Sequence, residues 1–305
     1  MVQVAQKYPV RVNMTDDPID LIRFAIDAFR VGQVALATLV DIRGGAARSL
    51  GSQVVVTEDG RYCGYVSGGC VEAAVAAEAV LAMAEGRDRV VKFGEGSRYF
   101  DIRLPCGGGI SVAIHCLRDV GPLEDVACCL ADRNPVGLRF SMDRQSLSVT
   151  EKVSRMKWSS EEFTVAYRPK TRILLCGQMG ETEAVKRLAL VSGYDVVDDY
   201  SAPKALALEG VIDRYTAVVL LHHDIDAERE MLMQALRSPA FYIGALGSSR
   251  THHRRVKKLT ENGYGFEDIN RIKAPIGLFG ATRDITSLAI SVIADVTASR
   301  LEQFG

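Results

Sequence analysis

A short glycine-rich motif with one cysteine is the first feature of this sequence that could carry chemistry. The motif Ser67–Glu72 (SGGCVE) follows an apolar, strand-like segment and precedes an alanine-rich, helix-like one. Glycines let backbone amides approach a ligand, and a helix start offers unpaired N–H groups with partial positive charge. The motif therefore predicts an anion site, with the thiolate of Cys70 favoured in the first helical turn. A tight strand-to-helix turn around a small buried cysteine is the alternative.

A second glycine-rich motif, Leu104–Gly109 (LPCGGG), lies between two predicted strands. The proline fixes the approach of the chain, and the glycines leave the sulfur of Cys106 as the one reactive side-chain atom of the loop. Because soft sulfur suits a soft metal or a sulfur-bearing ligand, Cys106 is a candidate metal contact. A wide turn with an incidental thiol is the alternative.

The third such loop, Gly44–Gly51 (GGAARSLG), adds a cation to the set. Arg48 is a candidate clamp for an anion, because a guanidinium forms paired hydrogen bonds to oxyanions. Hairpins alone do not require so many glycines. We therefore hypothesise that the three loops meet in one pocket, which requires Cys70 and Cys106 to lie on the same side of their domain.

The later half of the chain contains a segment typical of a dinucleotide-binding turn. In Ile173–Thr182 (ILLCGQMGET) a strand-like run meets a helix-like one, and Asp198 follows Gly177 by about 20 residues, as a ribose-binding acid would. The glycine pattern is nevertheless broken at Met179. A side chain there obstructs the approach to a pyrophosphate, which disfavours ordinary NAD(P) binding. A doubly wound domain with an altered or vacant site is the alternative.

Two further predicted strand ends carry polar residues, Leu221–Asp224 (LHHD) and Gly244–Arg250 (GALGSSR). Ligands of open parallel sheets bind at such carboxyl ends, although a histidine pair there can equally be ordinary surface polarity. The segment from Arg250 to Lys258 contains basic residues and no acidic ones. It predicts either a solvated helix face or a face that attracts phosphate or an acidic partner.

The elements that must position the first three loops predict a mixed α+β domain over residues 1–150. The opening helix has one apolar face, formed by Leu21, Ile22, Ala25, Ile26 and Phe29. Strands are predicted at 34–42, 53–57, 62–66, 89–93, 99–104, 110–115, 136–141 and 146–150. Further helices are predicted at 69–85 and near 123–131.

A polar stretch at 151–170 is predicted to link this domain to a second one, residues 171–305. Strands at 173–176, 195–198, 217–221 and 241–243 alternate there with helices at 181–192, 203–209, 227–237 and 249–262, and a last helix covers 284–302. This βαβ order predicts a Rossmann-like, doubly wound parallel sheet with right-handed crossovers. The chain as a whole is therefore expected to be α/β.

Composition excludes several classes of function. The 305 residues are 48% hydrophobic and 25% charged, with a net charge of -1, so no global field favours nucleic acid or an anionic membrane. The chain has neither a signal-like start nor an apolar run of membrane-spanning length. The 7 cysteines include no Cys-x-x-Cys pair, which disfavours structural zinc and fits a reducing compartment. We therefore expect a cytoplasmic protein.

Together, Ser67–Glu72, Leu104–Gly108, Tyr242–Ser248 and Ala274–Leu278 occur in the order seen in the XdhC/CoxI family, which this sequence resembles over most of its length. The resemblance implies a maturation chaperone for molybdenum hydroxylases, such as xanthine and carbon monoxide dehydrogenases, rather than a metabolic enzyme. It also implies an amino-terminal family domain before the Rossmann-like domain, a homodimer, the molybdenum cofactor (molybdopterin) as bound cargo, and an apo molybdenum hydroxylase as partner.

Carried over by position, Cys70 and Cys106 become the leading cofactor contacts. The candidate contacts are Arg48, Ser67, Gly68, Gly69, Cys70, Glu72, Pro105, Cys106, Gly107, Gly108, Gly177, Gly180, Asp198, His223, Asp224, Gly244, Gly247, Ser248 and Arg250. Two other functions stay open. One is an NAD(P)-dependent oxidoreductase, and the other is a scaffold that bridges a cysteine desulfurase and a hydroxylase through the basic segment after Arg250.

Overall fold

The computed structural model of this chain describes residues 8–94, 107–151, 158–159, 162–198, 210–280 and 282–304. The chain divides into two units, Met1–Pro169 and Lys170–Gly305. Two expected elements, the strand at 99–104 and the helix at 203–209, lie outside the described residues.

A six-stranded sheet organises the first unit, in the order β1-β4-β3-β2-β6-β5. Its elements are β1 Val10–Asn13, α1 Pro18–Phe29, β2 Val34–Arg43, β3 Gln53–Thr57, β4 Arg61–Gly64, α2 Glu72–Glu85, β5 Arg89–Gly94 and β6 Gly109–Cys116. β1, which the sequence analysis did not predict, pairs in parallel with β4, whereas the other neighbours are antiparallel.

Apolar side chains cover both faces of this sheet, because each face packs against a helix. Val55 belongs to the core that includes the apolar face of α1, and Val54 and Val56 belong to the core that includes α2. Alternation of side chains along a strand produces this division. Asp17 caps the start of α1 by accepting a hydrogen bond from the amide of Ile19, which fixes where that helix begins.

A second, antiparallel sheet completes the first unit and corrects the expected linker at 151–170. Its elements are α3 Gly121–Ala131, β7 Val136–Ser141, β8 Ser146–Thr150, β9 Trp158–Ser159 and β10 Glu162–Tyr167, with the strand order β8-β7-β10-β9. β10 pairs with β7 over its whole length, and the hydroxyl of Tyr167 donates to Gln53 at 2.6 Å. Alternating burial along β10 makes this segment part of the first unit's core.

The second unit has the predicted Rossmann-like architecture, a parallel sheet in the order β12-β11-β13-β14-β15. Its elements are β11 Arg172–Gly177, α4 Met179–Val191, β12 Asp195–Asp198, β13 Thr216–Leu221, α5 Arg229–Arg237, β14 Tyr242–Ala245, α6 Ser249–Glu261, α7 Phe266–Asn270, β15 Ile272–Lys273 and α8 Ile285–Phe304. Among the described residues, no helix combines the length and apolarity that crossing a membrane requires.

A buried carboxylate connects the two sheets of the first unit. Asp88, just before β5, pairs with His115 of β6, and both side chains are 2% exposed. Asp88 also accepts from Arg118 at 2.8 Å, and Arg118 in turn donates to Gln145 of the β7–β8 turn at 2.7 Å. Burial raises the pKa of Asp88, but the hydrogen bond and charge of His115, with the hydrogen bond from Arg118, outweigh burial, so its pKa is lowered.

Replacing Asp88 with Asn should lower the free energy of unfolding of the first unit by about 3 kcal/mol at pH 7, because a buried ion pair loses one partner. The folded-state pKa of Asp88 lies below its unfolded value of about 3.9. Its stabilising effect is therefore present above about pH 4 and is lost as the pH falls through the folded-state pKa. As the pH falls, the free energy of unfolding should therefore decrease more in the wild type than in Asp88→Asn.

Urea unfolding followed by the fluorescence of Trp158 measures the stability of the first unit. The chain has 1 tryptophan, and it lies in β9 of that unit. Asp143→Asn, at an exposed position between β7 and β8, is the control and should match wild type. Equal unfolding midpoints for Asp88→Asn and wild type at pH 7 would contradict the account.

Candidate functional site

The three glycine-rich turns lie at one end of the six-stranded sheet. β2 ends there at Arg43, opposite Gly109 at the start of β6, and Val54 of β3 is opposite Gly64 at the end of β4. The turns that continue from these strands are therefore neighbours. Pro105 and Cys106 lie outside the described residues, but the next residue along the chain, Gly107, is exposed at this end.

The loop after β2 touches the turn that follows Cys106. A Cβ atom at Gly108 would lie 2.3 Å from the carbonyl oxygen of Arg43 and 2.9 Å from that of Gly45. No side chain fits at that separation, so Gly108 is required by the close approach of two backbones. Gly108 therefore serves packing, whereas Gly107 beside it is exposed and open to a ligand.

The same loop touches the turn before α2. A Cβ atom at Gly68 would lie 3.6 Å from the Cβ of Ala47, which is an ordinary contact. Arg48 donates through Nε to the carbonyl oxygen of Ser67 at 3.4 Å and through Nη1 to Asp16 at 2.7 Å. The loop between β2 and β3 thus connects the other two turns.

The turn before α2 is held by Glu72, whose side chain is fully buried. Its Oε1 accepts from the amide of Val66 at 3.1 Å and from the amide of Ser67 at 2.7 Å. The Ser67 hydroxyl lies 3.0 and 2.9 Å from its two oxygens. Glu72 was expected to contact the cofactor, but its oxygens are used within the protein. The anion bound at this turn is the chain's own carboxylate.

Cys70 lies before α2 and not in its first turn, which corrects that expectation. The helix begins at Glu72 with Val71 as its N-cap, because Gly69 adopts a φ of +107° and the turn is held from inside by Glu72. Cys70 is exposed, and its sulfur is 3.4 Å from the Ser67 hydroxyl. The Ser67 hydroxyl donates to the carboxylate and accepts from the Gly69 amide at 3.2 Å, so it positions the thiol.

This end of the first unit therefore presents backbone and sulfur to solvent. Gly68, Gly69 and Cys70 are exposed, and a Cβ atom at Gly69 would meet nothing within 4 Å. Such an open surface can accept a bulky ligand that needs a soft sulfur contact and little steric hindrance. Within the described part of the chain, no three His, Cys, Asp or Glu side chains are grouped so as to hold a metal ion.

The sequence analysis missed two residues at this end, Arg11 and Tyr65. Arg11 lies on β1, and its guanidinium is 4.2 Å from the ring centre of Tyr65, whose ring also lies 4.8 Å from the guanidinium of Arg48. The alternation of apolar and polar residues in Val10–Asn13 was the available signal for a strand. The segment is too short for this alternation to predict a strand by itself.

In the second unit, the glycine at the end of β11 serves the approach of two strands. A Cβ atom at Gly177 would lie 2.5 Å from the carbonyl carbon of Leu221 at the end of β13. The amide of Gln178 donates to the carbonyl oxygen of Leu221 at 3.2 Å. Packing at the point where the strand order reverses therefore explains Gly177 without a ligand. Gly180 is exposed in the first turn of α4.

The polar residues at the ends of β12 and β13 contact helix α4 and the loop after β13. Asp198, the expected ribose-binding acid, is paired with Lys186 of α4 at 2.6 Å, and this hydrogen bond raises the pKa of Lys186. His223 lies 3.2 Å from Glu181. Asp224 accepts from the amide of Asp226 at 2.9 Å and so stabilises the loop after β13. A ligand would have to displace these contacts.

The strand end at Gly244–Arg250 serves mainly the fold. Gly244 is in the core, where a Cβ atom would lie 2.5 Å from Ile276. Ser248 is the N-cap of α6 and accepts from the amide of Thr251 at 3.3 Å, and Gly247, with a φ of +123°, allows the turn before it. Arg250 is exposed and is the charged residue of this segment that remains open to a partner.

The basic segment after Arg250 is less basic at the surface than its composition suggested. Arg255 is 2% exposed and forms an ion pair with the fully buried Glu228, whose pKa is raised by burial despite that pairing. Lys258 contacts Asp226 at 2.5 Å. The expected basic face between Arg250 and Lys258 is therefore corrected, because Arg255 points inward and Lys258 is paired with an acidic residue.

Both parts of the chain match described protein families. Residues 168–296 match the XdhC Rossmann domain, and residues 30–94 match the XdhC and CoxI family. The Escherichia coli (strain K12) molybdenum cofactor insertion chaperone PaoD is 47% identical over 298 residues, which cover 97% of this chain and 92% of that protein.

More distant relatives extend over the same length. A Bacillus subtilis (strain 168) protein named as a probable xanthine dehydrogenase component is 22% identical, over 88% of this chain and 93% of its own. The crystal structure of a xanthine dehydrogenase from Bacillus halodurans has a TM-score of 0.72 and 20% identity, and the match covers 95% of this chain and 97% of that one. At this identity the likeness establishes the fold.

Replacing Glu72 with Ala should release the turn before α2. The buried amides of Val66 and Ser67 lose their acceptor, and each such loss costs about 1–3 kcal/mol. Hydrogen exchange of these two amides should accelerate by about tenfold or more, since a factor of ten corresponds to about 1.4 kcal/mol. Glu72→Gln should have a smaller effect, because its carbonyl oxygen can still accept.

Glu85→Ala is the control, since Glu85 is at the exposed end of the same helix, where its carboxylate is 62% exposed and paired with Arg89. Its loss should leave exchange at residues 66–70 unchanged. Exchange in Glu72→Ala as slow as in wild type would show that the carboxylate does not hold the turn.

Proposed function

This chain belongs to the XdhC and CoxI family, and we propose on that basis that it binds the molybdenum cofactor and inserts it into an apo molybdenum hydroxylase. The observation that carries the proposal is 47% identity over nearly the whole chain to a relative named as a molybdenum cofactor insertion chaperone. The match covers both units, so the proposal applies to the chain as a whole.

We place the bound cofactor at the end of the first unit where the three glycine-rich turns meet. The cofactor has a dithiolene-bound metal, and soft sulfur ligands suit such a metal. Cys70 is exposed and positioned by Ser67, and Cys106 directly precedes the exposed Gly107. In this proposal the two thiols are the candidate soft ligands for the metal end of the cofactor, and Cys106 is the leading one.

An exposed site suits a carrier that must also release its cargo. A cavity closed on all sides would hold the cofactor tightly but would need to open before transfer. Gly68, Gly69 and Cys70 lie at the surface, so a docked apo-hydroxylase could reach the cofactor without unfolding of the carrier. We propose this docking as the step in which the partner replaces the carrier's contacts.

The family resemblance also leads us to propose further partners. The family resemblance implies a homodimer, a cytoplasmic location and delivery of the sulfurated cofactor, for which a cysteine desulfurase is a second candidate partner. Arg250 and Arg254 are exposed on α6 and offer charge to an acidic partner surface.

An NAD(P)-dependent oxidoreductase is the alternative, favoured by the parallel sheet and by Asp198 at the end of β12. Two contacts and one residue type disfavour it. Asp198 is paired with Lys186, His223 lies against Glu181, and Met179 occupies a position where a dinucleotide-binding turn has glycine.

Replacing Cys106 with Ala should weaken cofactor binding several-fold, because the metal end loses a soft ligand. The measurement is equilibrium binding of cofactor released from a molybdenum hydroxylase, with about one site per chain expected in the wild type. Cys128→Ala, at an exposed cysteine on α3, is the matched control and should bind as wild type does.

Undiminished binding by Cys106→Ala would refute the role of that thiol. A calorimetric titration with NAD(P) tests the whole proposal, because heat of binding with the dinucleotide and none with the cofactor would favour the oxidoreductase.

A further inference from the structure

One aromatic ring at the glycine-rich end of the first unit is flanked by two guanidinium groups. The ring centre of Tyr65 lies 4.2 Å from the guanidinium of Arg11 and 4.8 Å from that of Arg48. Arg11 also lies 4.9 Å from the ring centre of Tyr62. Like charges repel, so this arrangement is favourable only where rings or anions compensate.

Both guanidiniums are fixed in place by the backbone. Nη1 of Arg11 donates to the carbonyl oxygen of Gly64 at 3.0 Å, and Nε of Arg48 donates to that of Ser67 at 3.4 Å. The two carbonyl groups lie on either side of Tyr65 in the chain. Each arginine is thus held before any ligand binds, which reduces the entropy cost of binding.

The charges at this place do not balance. Arg48 is paired with Asp16 at 2.7 Å, whereas Arg11 forms no ion pair within 4.0 Å with any acidic residue in the described part of the chain. Asp20, on the neighbouring helix, contacts Thr15 at 3.1 Å. Two guanidinium charges therefore face one paired carboxylate, and a guanidinium retains N–H donors beyond those used here.

Three amides of the adjacent turn already donate to acceptors within the protein. The amides of Val66 and Ser67 donate to Glu72, and the amide of Gly69 donates to the Ser67 hydroxyl. The fixed negative charge of Glu72 also opposes a second anion at that helix start. The arginine pair is next to the exposed turn and offers charged donors to an anionic group.

We propose that Arg11 and Arg48, on the ring of Tyr65, form the binding site for the phosphate of the cofactor, a phosphate monoester or diphosphate. The inference rests on the proposed function and deepens it. Guanidinium groups bind phosphate oxygens through paired, charge-assisted hydrogen bonds. Arg11 and Arg48 would hold the phosphate, and Cys70 would be available to the metal end, so Arg11 would contribute affinity and fix the orientation.

The test compares two forms of the ligand against variants of Arg11. The ligands are cofactor released from a molybdenum hydroxylase, and the same cofactor after treatment with a nucleotide pyrophosphatase and a phosphatase, which together remove a diphosphate or a phosphate monoester. The variants are Arg11→Gln, which removes the charge, and Arg11→Lys, which keeps the charge but not the planar fork. Arg61→Gln is the matched control, since Arg61 is on the adjacent strand β4, is 48% exposed and pairs with Asp59.

Wild type should bind the phosphorylated form about tenfold more tightly than the dephosphorylated form. Arg11→Gln should abolish that difference while binding the dephosphorylated form as wild type does, and Arg11→Lys should retain part of it. Binding of the phosphorylated form should weaken with added salt more steeply in wild type than in Arg11→Gln, because one ionic contact is lost. Arg61→Gln should behave as wild type.

Three results would overturn the proposal. Equal affinity of wild type for the two ligand forms would remove the phosphate site while leaving the cofactor-binding function intact, even if inorganic phosphate alone bound at Arg11. Equal weakening of both forms by Arg11→Gln would show a structural role for the stacked arginine. An unchanged preference for phosphate in Arg11→Gln would place the site elsewhere, whereas binding of neither form by wild type would contradict the proposed function itself.

Discussion

The buried carboxylate of Glu72 is the constraint on which the site in the first unit depends. A carboxylate that is buried away from water must be hydrogen bonded within the protein. Its donors are two consecutive amides and one hydroxyl of the turn that precedes it in the chain. This requirement delays the start of α2, turns the chain at Gly69 and leaves Cys70 at the surface. The carboxylate bound by the turn before α2 is therefore the protein's own.

The two units use similar sequence features for different purposes. In the first unit, glycine-rich turns leave backbone and sulfur exposed, and the fixed cations lie beside them. In the second, Gly177, Gly244 and Gly247 accommodate close packing, and Asp198 is paired with Lys186. The family match and the close relative cover both units. The contrast in packing, and not the family match, is the reason we propose that the cofactor binds to the first unit, with Arg250 as an exposed contact in the second.

Periodicity predicted most of the fold, because α1 and the strands of the parallel sheet have strong apolar patterns. It missed β1 and β10, since short strands with half-buried faces carry little periodic signal. The end of the first unit was therefore predicted too early in the chain. Residue types predicted the glycine turns correctly, but they could not distinguish Glu72 as an internal ligand from Glu72 as a cofactor contact. Nor could they show that Arg255 points inward to Glu228, because that pairing joins separate elements.

The most direct test of the central claim is to place a negative charge at each candidate surface and measure cofactor affinity. A side chain fits at Gly68, where a Cβ atom would lie 3.6 Å from Ala47, so Gly68→Asp adds a charge and Gly68→Ala is its control. Ser249→Asp adds one at the exposed start of α6 in the second unit. The account predicts that only Gly68→Asp loses affinity. A loss of cofactor affinity in Ser249→Asp, with unchanged affinity in Gly68→Asp, would contradict the placement of the cofactor on the first unit.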